Sequence, residues 1–105
     1  MVFRQLNEPL GLEMKDLMIR AEFSARDFAA WLDEPYTSTY QWIRGVVPHS
    51  PTYEKILDRM EALRFALKFY DFADIPTQGQ RRLDYIQGTC KNVRRSKAFK
   101  GRAAA

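Results

Sequence analysis

Apolar residues recur along this chain at helical spacing, and proline and glycine cut the pattern into segments. Met14, Leu17, Met18 and Ala21 lie three and four residues apart and predict a first helix over about Leu12–Glu22, with Pro9 and Gly11 ahead of it. Ser24 opens a second. Ser24-x-x-Asp27 has the form of a capping box, in which a hydroxyl and a carboxylate satisfy free N–H groups of a first turn. Phe28, Trp31 and Leu32 supply its apolar stripe, and Asp33-Glu34-Pro35 stops it, because the residue before a proline is pushed out of the helical region.

A third helix follows, ending at Arg44. Either Pro35 sits in its first turn, where a missing N–H does no harm, or Thr37 caps a shorter helix. Gly45 stands where a left-handed residue ends it. Val46–His49 is a connecting loop, and Ser50-Pro51 is a start signal for a long fourth helix reaching about Asp71. Tyr53, Ile56, Leu57, Met60, Leu63, Leu67 and Tyr70 line one face of it, and Phe65, Phe69 and Phe72 line another. Pro76–Gly79 reads as a turn and Gln80–Gln87 as a short fifth helix, with mobile chain from Thr89 onward. No strand-like alternation persists. The expectation is an all-α fold of four or five helices: a main unit over residues 1–75, a short helix within 76–90 and a basic flexible tail over 91–105.

Composition narrows the function more than the fold. At 105 residues and 46% hydrophobic, the chain has material for one small core. It holds no apolar run of about 18 residues, and its first residues lack the stretch of a signal peptide, so a cytoplasmic protein is expected. Cys90 and His49 stand alone and lack the spacing of a metal site. A His49–Cys90 pair acting as base and nucleophile has no local support, and there is no glycine-rich phosphate loop. Neither an enzyme, a metal nor a cofactor is expected.

Charge is unevenly spread. The net value is +4, yet all 13 acidic residues lie at or before Asp84, while Lys91, Arg94, Arg95, Lys97, Lys100 and Arg102 follow Cys90. Residues 1–90 carry eleven cations against thirteen carboxylates, −2, and residues 91–105 carry +6. Such a basic end on a near-neutral body suggests a polyanion partner, usually nucleic acid.

Segment 24–45 is the informative stretch. Phe28-Ala29 near the start of the second helix is followed by Leu32, then by Trp42-Ile43-Arg44-Gly45 without a gap, and by Pro48. In these residues the chain resembles the helix-turn-helix of the Cro and lambda-repressor family of DNA-binding proteins. The likeness extends more weakly to Leu17-Met18-Ile19-Arg20 and to the fourth helix, about residues 12–67 in all. It implies a lambda-repressor-like core whose helix 36–44 enters the major groove of double-stranded DNA. Tyr36, Thr37 and Gln41 would face base edges, Gln41 pairing with adenine. Ser38 and Tyr40 would touch backbone, and Arg44 a phosphate. A homodimer through the Phe65, Phe69 and Phe72 region is expected with it.

Three positions depart from the family pattern: Asp33 stands where glycine is usual, Glu34 where an apolar residue is usual, and Thr39 where a buried Val or Ile is usual, with Tyr36, Tyr40 or Ile43 as candidates to fill that space. Ser24–Pro48 also nets −1, because Asp27, Asp33 and Glu34 outnumber Arg26 and Arg44. Duplex affinity rests largely on cation–phosphate contacts, so Arg94, Arg95 and Lys97 of the basic end are expected to add grip, and deleting 91–105 to flatten the salt dependence. The leading reading is a bacterial or phage transcription regulator. The alternatives are a packaging, recombination or antitoxin-like helix-turn-helix protein, or an interaction module that has lost DNA binding.

Overall fold

The periodicity is helical, and so is the chain. A computed structural model describes residues 8–69 and 75–99. In order, α1 spans Glu8–Ala21, α2 Ala25–Leu32, α3 Tyr36–Ile43, α4 Ser50–Phe69 and α5 Gly79–Arg95, with no strand among the described residues. None of these helices is long and apolar enough to cross a membrane.

α2 is the hub. It packs against α3, α4 and α5, and α1 packs against α3 and α4. The core gathers Met14 and Leu17 from α1, Phe28, Trp31 and Leu32 from α2, Ile56, Met60 and Leu63 from α4, and Ile86, Cys90 and Val93 from α5. Trp31 is fully buried, and its indole Nε1–H donates to the Arg59 carbonyl at 2.8 Å, so its polar edge is satisfied as α2 meets α4.

α1 begins four residues before the expected Leu12. Pro9 lies in its first turn, where no N–H is required of it. Gly11 is inside the helix because α3 comes close: a Cβ on it would lie 2.7 Å from the Ile43 carbonyl oxygen. The capping box of α2 forms in full. The Ser24 hydroxyl accepts from the Asp27 N–H at 3.2 Å, and the Asp27 carboxylate accepts from the Ser24 N–H at 2.9 Å. At the other end Asp33 takes the left-handed conformation, φ 56°, which aspartate tolerates better than most residues. The turn therefore has the backbone that glycine usually provides, built with another residue.

α5 is the largest departure from expectation. It does not stop at Gln87 but runs to Arg95, so residues 91–95 are helical rather than flexible tail. Ile86, Cys90 and Val93, four and three residues apart, are all essentially inaccessible. A glycine inside a helix, here Gly88, costs about 1 kcal/mol, whereas burying a side chain such as Val93 contributes about 1.5–3 kcal/mol. Burial wins, and the helix passes through the glycine. Beyond it, Phe99 packs against Phe65 with ring centroids 5.7 Å apart. Lys100 and Arg102 lie outside the described residues, as do Tyr70 and Phe72.

α5 is fastened to α2 by Arg82. Its Nε and Nη2 reach the two oxygens of Asp27 at 3.1 and 3.0 Å, and it also donates to the carbonyls of Pro76 and Glu22. Burial pushes the Asp27 carboxyl up, but the Arg82 and Ser24 hydrogen bonds more than offset this and hold it below the ordinary value of 3.8.

Candidate nucleic-acid interface

α3 has a sharp division between its faces. Thr39, Trp42 and Ile43 turn inward and are buried, while Tyr36, Thr37, Tyr40 and Gln41 are exposed, Ser38 is half-buried, and Arg44 follows exposed at the C-cap. Neither of the two expected starts is found: Pro35 is the N-cap, ahead of the first turn, Thr37 makes no cap, and the helix opens at Tyr36. Thr39 itself fills the space where a Val or Ile was expected. Its hydroxyl donates to the Pro35 carbonyl at 3.0 Å, so a polar atom sits in the core with a partner. Tyr36 and Tyr40 are therefore not needed as filling, and both point outward.

The two tyrosines belong to a row. The Arg26 guanidinium lies 4.9 Å from the Tyr36 ring centroid, the Tyr36 and Tyr40 centroids are 6.1 Å apart, and the Arg44 guanidinium is 5.7 Å from the Tyr40 centroid. Residues 36, 40 and 44 are successive turns on one side of a helix. Arg26 reaches the row from the first turn of α2. Nothing local in the sequence marks it, because its contact is made across ten residues and depends on how α2 and α3 pack.

The acidic residues of the segment are held by other elements. Asp27 is paired with Arg82 of α5. Glu34 is paired with Lys55 of α4 at 2.9 Å, and the same ammonium donates to the Asp33 carbonyl at 2.9 Å. The Asp33 carboxylate accepts from the Gln87 amide of α5 at 2.9 Å. Neither Arg26 nor Arg44 has an ion-pair partner among the described residues. Lys15 of α1 adds a third cation, since it lines a shallow pocket with Gly11, Leu12, Ile43, Arg44 and Gly45. The net −1 of the segment thus separates into carboxylates held by cations and an amide of α4 and α5, and cations left open on the α3 side.

The remaining site candidates lie elsewhere. α5 starts beside the first turn of α2, where Arg82 meets Asp27, passes the α2–α3 turn at Gln87, and then follows α4. Arg94 consequently meets Asp58 of α4 at 3.4 Å. Arg95 and Lys97 are exposed at the end of the helix and just beyond it. The structure groups Tyr36, Thr37, Ser38, Tyr40, Gln41 and Arg44, and it sets Arg94, Arg95 and Lys97 apart, along α4.

Cys90 is buried between α5 and its neighbours. Burial pushes its thiol up against the opposing pull of Arg59 and Arg94, which disfavours the reactive thiolate. His49 is exposed ahead of α4. No group of three His, Cys, Asp or Glu among the described residues is placed to hold a metal ion.

No family model matches the chain, and neither the curated proteins nor the solved structures contain a match to it.

Proposed function

We propose that this chain is a sequence-reading DNA-binding protein of the helix-turn-helix kind, a transcription regulator of bacterial or phage type. α2 braces α3, and α3 enters the major groove. One observation carries the reading: the outer side of α3 presents Thr37, Gln41 and open guanidinium groups, while Asp27, Asp33 and Glu34 are held by Arg82, Gln87 and Lys55. The objection raised by the acidic turn is thereby reduced, because phosphate would meet the open cations first. Gln41 is suited to adenine, whose N6 and N7 match a side-chain amide, and Thr37 to a thymine methyl or a phosphate. Ser38, Tyr40 and Arg44 would contact backbone.

The resemblance in residues 28–48 supports the same reading. So does Phe69, 69% exposed beside Phe65, as part of a face for a second copy that would place two α3 helices on two half-sites. A second reading has one observation in its favour: exposed tyrosine and arginine together are also the composition of protein-binding hot spots. Selection of bound sequences from a pool of random duplexes distinguishes the two. Enrichment of a defined site supports the regulator, and absence of any retained or enriched duplex overturns it.

A further inference from the structure

The row Arg26–Tyr36–Tyr40–Arg44 has a geometry that its separate members do not explain. From Tyr36 to Arg44 a helix rises about 12 Å, so the row runs the whole length of α3, the element that would lie in the groove. One guanidinium sits at each end of the row, over a tyrosine ring, and each ring faces its neighbour with a tilt of 33°. The two residues are exposed, 40% for Tyr36 and 43% for Tyr40, so core packing does not account for them.

An exposed arginine normally samples many rotamers and loses that freedom when it meets a phosphate. A ring beneath the guanidinium restricts it beforehand, while its N–H edge stays free to donate, because cation–π contact uses the face of the plane and phosphate binding uses its rim.

We propose that Tyr36 and Tyr40 are positioning residues: they hold Arg26 and Arg44 as two preset phosphate seats at the two ends of the helix that enters the groove. This rests on the DNA-binding reading and sharpens it. It moves Tyr36 from base reader to support, adds Arg26 to the interface, and leaves Thr37 and Gln41 as the residues facing bases. The ligand at both ends is a backbone phosphodiester, so the row contributes affinity without sequence preference.

The test is the salt dependence of binding to a random-sequence duplex, by fluorescence anisotropy, for the wild-type chain and the double variants Tyr36→Phe/Tyr40→Phe, Tyr36→Ala/Tyr40→Ala and Arg26→Gln/Arg44→Gln. The phenylalanine pair keeps the ring faces and is expected within about twofold of wild type. The alanine pair is expected to bind about five- to thirtyfold more weakly, from two exposed cation–π contacts. Its slope of log affinity against log salt is expected to stay close to that of wild type, because both guanidinium charges remain, whereas the glutamine pair loses up to about 1.8 units for two phosphates. Matching thermal melts of the alanine pair and wild type separate this loss from unfolding. Where they do not match, the single alanine variants and the phenylalanine pair are compared by affinity at one salt concentration.

If wild type binds duplex and the alanine pair binds it as tightly, the positioning role is overturned while the DNA reading stands. The same holds if the alanine pair changes only which sequences are selected, since the rings would then read bases. If wild type shows no salt-dependent binding to any duplex, the DNA reading falls and the phosphate seats fall with it. The row would then face a protein.

Discussion

Replacing Arg82 with leucine should unfasten α5 from α2. The side chain is 19% exposed and its partner Asp27 only 7%, so the pair is mostly shielded from water. Removing one partner of a buried ion pair costs about 3–5 kcal/mol, because the other charge is left without compensation. Here the cost is reduced, since Asp27 keeps the Ser24 N–H at 2.9 Å, and a further loss comes from the Pro76 and Glu22 carbonyls, which lose a donor. The balance is about 2–3 kcal/mol, or roughly 10–20 °C in Tm for a domain of this size. Urea unfolding followed by the fluorescence of the buried Trp31 and Trp42 measures it.

The loss should also depend on pH. Asp27 titrates below 3.8 in the folded chain. Its contribution is fully present above that value and disappears as pH falls through the lower folded value, when the protonated carboxyl no longer attracts Arg82. The gap between wild type and Arg82→Leu should therefore narrow in acid. A loss under about 1 kcal/mol at pH 7, or a gap unchanged below the carboxylate range, would refute the clamp.

Other substitutions probe separate parts of the structure. Gly11→Ala gains up to about 1 kcal/mol of helix propensity but forces a methyl toward the Ile43 carbonyl at 2.7 Å, so a net loss of about 1–2 kcal/mol by chemical denaturation is expected. Thr39→Val should stay within about 1 kcal/mol of wild type, because the Pro35 carbonyl still accepts from the backbone N–H of residue 39 at 3.0 Å; Thr39→Ala should cost more through the cavity it leaves. Val93→Ala should cost about 1–3 kcal/mol, while Lys91→Ala should stay within about 0.5 kcal/mol. Equal effects at 91 and 93 would contradict the helical docking of this segment.

The sequence revealed the helices wherever apolar spacing and punctuation agreed. Ser24 with Asp27 marked the start of α2, Ser50-Pro51 the start of α4, and both are where the structure has them. It misled where one residue type has two uses. Gly11 reads as a boundary, yet it allows α1 to approach α3, and the fifth helix, expected to end at Gln87, is carried through Gly88 by the burial of Cys90 and Val93. The cluster of cations after Cys90 concealed the spacing of Ile86, Cys90 and Val93, which was visible in principle.

At the candidate interface, the exposed side of α3 was legible from the inward pattern of Trp42 and Ile43. The partners of Asp27, Asp33 and Glu34 were not. They come from residues 21–55 positions away, and only the tertiary fold brings Lys55, Arg82 and Gln87 to them. The same is true of Arg26. Deleting residues 91–105 is no longer a clean test of the basic end, since it would also remove Val93 from the core. Neutralising Arg95 and Lys97, both exposed, leaves the core intact.

The claim that α3 meets DNA is tested most directly by an amide-resolved NMR titration of the whole chain with a duplex taken from the selected pool. The account predicts that the largest shifts fall on Arg26, Tyr36–Gln41 and Arg44, with smaller ones near Lys15, and that they diminish as salt rises. Shifts confined to α4 and the end of α5, or no shifts at low salt, would contradict it.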